Sequence, residues 1–122
     1  MKAYLLKSFQ REAASADISD EDCRKAIQKA ERGLIDAELG AGLIKQRIPR
    51  GSQGAARGAR AVVFYKRGKV AVLLHLFPKS GKANLTNLEL SEYMDFAKAL
   101  AKLTDVQLLA LRDQRGWKEL DI

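Results

Sequence analysis

Residues 69–77, KVAVLLHLF, constrain the fold of this chain more than any other stretch, because apolar side chains fill almost every position after Lys69. A strand with one face in water alternates apolar and polar residues, whereas a run that is apolar on both parities has to be covered on both sides. Val70, Val72, Leu74 and Leu76 face one way and Ala71, Leu73 and Phe77 the other, which predicts a central strand with a layer on each face. Ala61–Tyr65 is a second such strand, and Lys66-Arg67-Gly68 joins the two as a hairpin in which Gly68 takes a positive φ. His75, inside this apolar strand, reads as a packed or hydrogen-bonded histidine rather than a catalytic one.

Helices are the expected covering layers. Ser19 followed by Asp20-Glu21-Asp22 marks a helix start, and Cys23, Ile27, Ala30, Leu34 and Ala37 recur at steps of four and three. That spacing predicts an amphipathic helix ending near Gly40 or Gly42, with Cys23 as a packed thiol on its apolar stripe. Thr86-Asn87-Leu88-Glu89 fits a capping box, and Leu90, Tyr93, Ala97, Leu100 and Ala101 continue at helical spacing. Thr104-Asp105-Val106-Gln107 opens another short helix that ends before Gly116. One or two helical turns are expected over Ser8–Ala16, a short strand over Ala3–Leu6, and either an edge strand or a docked tail over Trp117–Ile122. In Ile44–Pro49 the residues Ile44, Gln46 and Ile48 point one way and Lys45 and Arg47 the other, so that one face packs while its opposite presents cations. Arg50–Arg60, RGSQGAARGAR, reads as a flexible basic loop.

At 122 residues the chain has the size of one domain, 1–122, with a modest core. No apolar run approaches the ~20 residues that span a bilayer, and the apolar stretch of Met1–Lys7 is too short for a secretory signal. Cys23 is the only cysteine, which excludes an internal disulfide and fits a reducing cytoplasm. The net charge of +7 is unevenly spread: between Leu39 and Leu88 stand ten basic residues and no acidic one. A positive field confined to one part of a small protein is the footprint of a polyanion site, since phosphate contacts supply most non-specific affinity for nucleic acid.

The residue inventory narrows the chemistry. A single His75 and a single Cys23 do not make a typical zinc site, and residues 39–88 offer no carboxylate for magnesium, so no metal or cofactor is expected. The chain has no GxxxxGK[ST] phosphate loop, and its glycines at 51–58 lack the strand-to-helix setting of a dinucleotide fingerprint. What remains is a set of guanidinium and ammonium groups able to act on a phosphodiester. RNA carries its own nucleophile, the 2′-hydroxyl, so a protein can cleave it by aligning that group and stabilising charge on the phosphorane oxygens. Arginine offers a fixed fork to two phosphate oxygens, and a lysine crowded by other cations gives up its proton more readily.

Gly33-Leu34-Ile35-Asp36-Ala37, Ile44-Lys45-Gln46-Arg47, Gly58-Ala59-Arg60 and Phe77-Pro78-Lys79-Ser80…Asn84-Leu85 occur in the order seen in HigB-like members of the RelE toxin family, which the chain resembles over nearly its whole length. The resemblance implies an α+β fold of the microbial-RNase-like kind, with N-terminal helices packed on a curved antiparallel sheet and a C-terminal helical segment. It implies the toxin of a type II toxin–antitoxin system: an endoribonuclease without metal that cuts mRNA on the ribosome and is inhibited by a cognate antitoxin. Operator DNA is then reached only through the antitoxin complex, and no membrane is involved. Carried over by position, Lys45 and Arg47 match the paired cations of the family's exposed strand, one acting as base and the other holding phosphate. Arg60 matches the transition-state arginine after the glycine-rich turn, and Lys79 and Lys82 the basic positions after the last long strand. These five are the catalytic candidates; Arg50, Arg57, Lys66, Arg67 and Lys69 are candidates for holding RNA. The family's usual GKSGG is replaced by Ala55-Ala56-Arg57-Gly58, and Thr86 stands near the position of a tyrosine that RelE uses as an acid. Two other readings stay open on the residues alone: a ParE-like gyrase inhibitor, which shares the fold without needing the cations, and a non-catalytic basic nucleic-acid-binding module.

Overall fold

The hairpin anticipated from residues 61–77 lies at the centre of a six-stranded sheet. A computed structural model describes residues 1–49, 58–78 and 85–122. In chain order the elements are β1 (Lys2–Leu5), α1 (Lys7–Ser15), α2 (Asp20–Glu31), β2 (Ala37–Gly40), β3 (Leu43–Ile48), β4 (Ala59–Lys66), β5 (Val70–Pro78), α3 (Asn87–Ala101), α4 (Asp105–Arg115) and β6 (Lys118–Asp121). The sheet order is β2-β3-β4-β5-β1-β6. Its class is the expected α+β, with one correction: the sheet is mixed, because β1 runs parallel to β5 while the other pairs are antiparallel. The C-terminal tail takes the edge-strand alternative, pairing β6 with β1. Among the described residues no helix is long and apolar enough to cross a membrane.

Each face of the sheet has its own core. Phe9 and Ala13 of α1 and Cys23, Ala26, Ile27 and Ala30 of α2 pack on Leu5, Ile44, Ile48, Val63, Leu73 and Leu76. On the opposite face Ala97 and Leu100 of α3, Leu108 of α4 and Trp117 cover Tyr4, Leu43, Val62, Phe64, Val72, Leu74 and Phe77. The predicted parity of β5 therefore holds as far as Leu74 and then inverts. Val62 pairs with His75 but Val63 with Leu73, so Leu74 is the extra residue of a β-bulge. Beyond it Leu76 joins the α1–α2 core and Phe77 the α3–α4 core, the reverse of strict alternation.

Helix starts follow the capping chemistry. At α2, Asp22 N–H donates to Ser19 Oγ and Ser19 N–H to Asp22 Oδ2, both at 3.0 Å; the same reciprocal pair joins Thr86 to Glu89 and Thr104 to Gln107. The end of α2 departs from expectation. Gly33, at φ +84°, lets its N–H donate to the Ala30 carbonyl while Leu34 N–H reaches that of Lys29, a Schellman stop nine residues before Gly42. Leu34, in phase with the apolar stripe, is 52% exposed, and Ala37 belongs to β2.

Gln46 ties the segment after α2 to the sheet. It is buried at 1% exposure; its Nε2 donates to the carbonyls of Ala26 (3.2 Å) and Leu34 (2.9 Å), and its Oε1 accepts from Asp36 N–H (3.1 Å). Gln46→Leu leaves three backbone groups unpaired in the interior, and each buried group left so costs about 1–3 kcal/mol. A urea midpoint equal to that of the parent chain would show that this tie carries no stability.

Candidate active site

Lys45, Arg47 and Arg60 lie on the α3–α4 face of the sheet, on the part of it toward residues 47, 60 and 77. Two rows of paired residues cross three strands there: Lys45, Val62 and His75 in one, Arg47, Arg60 and Phe77 in the next. Residues paired across a sheet project to the same side, so the two rows form a patch with Arg60 diagonal to both Lys45 and His75. Arg47 is exposed, and Lys45 and Arg60 are half-buried. Arg60 Nη1 is buried and has no hydrogen-bond partner among the described residues. The strand carrying it is preceded by a forced glycine: a Cβ on Gly58 would stand 2.1 Å from the Ile48 carbonyl oxygen, so the chain approaches β3 closely here only because Gly58 has no side chain.

Carboxylates reach the patch from elements outside the acid-free segment. Arg47 N–H donates to Asp36 Oδ2 at 2.7 Å. Glu12, on α1, lies at the stretch of β5 that β1 leaves unpaired: its Oε1 accepts from Leu76 N–H (3.2 Å) and its Oε2 is 2.8 Å from His75 Nδ1. The His75 ring stacks on Tyr93 of α3 with centroids 5.8 Å apart and planes at 22°, and also meets Phe77 at 5.7 Å. Burial, with Glu12, Glu89 and Glu92 adding to it, pushes the Tyr93 phenol up to about 12, so it stays protonated at neutral pH. The ring is packed between aromatic side chains and in contact with the Glu12 carboxylate, yet its side chain keeps 25% exposure rather than sinking into the core.

The candidates for holding RNA divide. Lys66, Arg67 and Lys69 are exposed at the β4–β5 turn, about 20 Å along β4 from Arg60 at ~3.3 Å per residue. There Glu31 accepts from Gly68 N–H (2.9 Å) and from the Tyr65 hydroxyl, and these bonds hold its carboxyl below the usual range. Arg50, Arg57, Lys79 and Lys82, with Ala55 and Ala56, lie outside the described residues. The described chain on either side of them meets in one row, Ile48 with Ala59 and Ala59 with Pro78, next to that of Arg47 and Arg60.

Cations that sequence reasoning passed over also reach Arg47, at the border of the patch. Lys25 and Lys29 of α2 and Arg32, which caps its C-terminus, line a groove of about 250 Å³ together with Arg47 and Pro49. Their spacing of four and three, in positions off the apolar stripe of the helix, was the signal. A larger groove, of about 460 Å³, runs between the end of α2 and β2, bordered by Glu38, Tyr65 and Arg67, away from the patch. Cys23 is inert: burial raises its thiol to about 12, which keeps it out of the nucleophilic thiolate form. Among the described residues no group of three or more His, Cys, Asp or Glu is placed to hold a metal ion.

A six-stranded sheet covered by helices on both faces, left partly uncovered by the described residues where a lysine and two arginines stand side by side, defines a small α+β protein organised around a cationic face. The family model of the RelE toxin of the RelE/RelB toxin–antitoxin system matches residues 1–120. The chain belongs to that family, and so is the toxin of a toxin–antitoxin system with an antitoxin as its partner. Among curated proteins none matches it.

Proposed function

We propose that this toxin is a metal-independent endoribonuclease of the HigB-like kind that cuts mRNA on the ribosome, in the cytoplasm, and thereby arrests translation. The observation that carries the reading is the patch of Lys45, Arg47 and Arg60, with a guanidinium nitrogen of Arg60 buried and unpaired among the described residues. A buried, unpaired donor is costly unless something fills it, and a phosphate oxygen supplies the charge-assisted acceptor that an arginine fork fits. The 2′-hydroxyl attacks phosphorus, charge collects on the two non-bridging oxygens, and Arg60 with Arg47 stabilises it. A gyrase inhibitor of the ParE kind has no need of such a patch, and a binding module has no need of a fixed, unpaired arginine at its centre. Lys79 and Lys82, next along the chain from β5, are proposed to add further positive charge at the reacting phosphate, and Arg50 and Arg57 to hold the strand on either side; Lys66, Arg67 and Lys69 would meet RNA only farther along its path.

The test is to incubate the purified protein with ribosomes and mRNA in the presence of EDTA. The expected result is cleavage unaffected by chelator, leaving 2′,3′-cyclic phosphate and 5′-hydroxyl ends. Binding without cleavage would reduce the patch to a docking surface, and loss of cleavage on chelation would overturn the metal-free mechanism.

A further inference from the structure

We propose that His75, oriented by Glu12, is the general acid that protonates the leaving group; this rests on the ribonuclease reading above. Three observations converge on the ring. Its Nδ1 is tied to Glu12 Oε2 at 2.8 Å, and Glu12 is itself fixed by the Leu76 N–H, so the carboxylate determines which nitrogen carries the constant proton. Tyr93 and Phe77 hold the ring from its sides. Nε2 makes no hydrogen bond to a described residue, and a quarter of the side chain is exposed, whereas a histidine kept for packing is covered and has both nitrogens satisfied. The bulge at Leu74 changes the parity of β5 just before His75 and sets this ring among the cations.

Position across the sheet gives the ring a chemical role. Lys45 and His75 are the partners of Val62 on its two sides, so their Cα atoms stand about 10 Å apart, two inter-strand spacings. Arg60 projects on the same face, two residues along β4 from Val62. A phosphate held by Arg60 thus has an amine on one side and an imidazole on the other, as in-line displacement requires of its base and acid. The Lys45 amine, in its neutral form, takes the proton of the 2′-hydroxyl as the O2′–P bond forms. The P–O5′ bond breaks and O5′ takes the Nε2 proton of His75, leaving a cyclic phosphate, a 5′-hydroxyl, an ammonium on Lys45 and a neutral imidazole. Exchange of one proton each with water restores both groups.

A substrate whose leaving group needs no proton separates this role from any other. Two RNAs of one sequence are compared, the second carrying sulfur in place of the 5′-bridging oxygen at the bond the wild-type chain cuts, with melting curves confirming that each variant is folded. His75→Ala is expected to cut the oxygen substrate about 10²–10⁴-fold more slowly than wild type, the usual worth of a general acid, and the sulfur substrate at nearly the wild-type rate. Glu12→Gln, changing a positioning residue, should show a smaller loss on oxygen that also vanishes on sulfur, a difference that damaged packing does not produce. Lys45→Ala should be slow on both. Equal loss on both substrates by His75→Ala, or no loss on either, would overturn the assignment while leaving the ribonuclease standing. A wild-type chain that cuts neither would remove the ribonuclease reading and the acid with it.

Discussion

Arg60→Ala is expected to slow RNA cleavage by about 10²–10³, equivalent to roughly 2–4 kcal/mol of transition-state stabilisation, with little change in the melting temperature. The size follows from what the guanidinium meets. Its Nη1 is out of water without a partner among the described residues, so its desolvation is already incurred in the free protein, and charge forming on the phosphorane gains the full benefit of a donor that need not reorganise. Stability is little affected because no described group loses a partner when the side chain goes. Arg60→Lys should recover only part of the rate, since an ammonium offers a point charge where the fork spans two oxygens. Single-turnover rates on ribosome-bound message, beside melting curves of the same samples, decide the matter. A variant that cuts at the parental rate would leave the patch as a binding surface, and one that fails to fold would place Arg60 among the structural residues.

RNA binding should weaken by about 10²–10³ between 50 and 200 mM salt. Lys45, Arg47 and Arg60 on the sheet and Lys25, Lys29 and Arg32 on the groove are six cations joined through Arg47, which belongs to both, and one strand is expected to follow this path. For single strands the logarithm of affinity falls with a slope of roughly −0.7 per phosphate neutralised, hence about −4 here. The triple change Lys25→Gln, Lys29→Gln, Arg32→Gln should flatten that slope by about 2 and slow the chemical step far less than Arg60→Ala, because these side chains adjoin the patch only at Arg47 and none stands in a row with Arg60. Titrations of a labelled oligonucleotide at four or five salt concentrations measure both slopes. An unchanged slope in the triple variant would take the α2 groove off the RNA path.

Much of this architecture is visible in local sequence because its causes are local. The three capping boxes depend on residues three apart, the hairpin on Gly68, and the outward pair Lys45 and Arg47 on simple alternation about the buried Gln46. The overextended α2 shows the limit of periodicity: Leu34 and Ala37 stay in phase with Cys23, Ile27 and Ala30, but Gly33 in the left-handed region ends the helix before them. The glycine was there to be read, and the phase of the apolar residues outweighed it. Likewise the acid-free stretch from 39 to 88 located the cationic strands, while its freedom from carboxylates did not survive folding.

From the sequence alone came the double-covered central hairpin, the helix starts, the family resemblance and the strands that bear the cations, all of which follow from propensity, patterning and charge over a few neighbouring residues. Only the tertiary structure decided that β1 lies parallel to β5, that the bulge at Leu74 turns His75 toward the cations, and that Glu12 meets His75 from 63 positions away. It alone put Lys25, Lys29 and Arg32 beside Arg47. The reason is physical: strand order and bulge position are set by how two cores close on opposite faces of one sheet, and contacts between distant residues exist only once that closure has brought them within bonding distance.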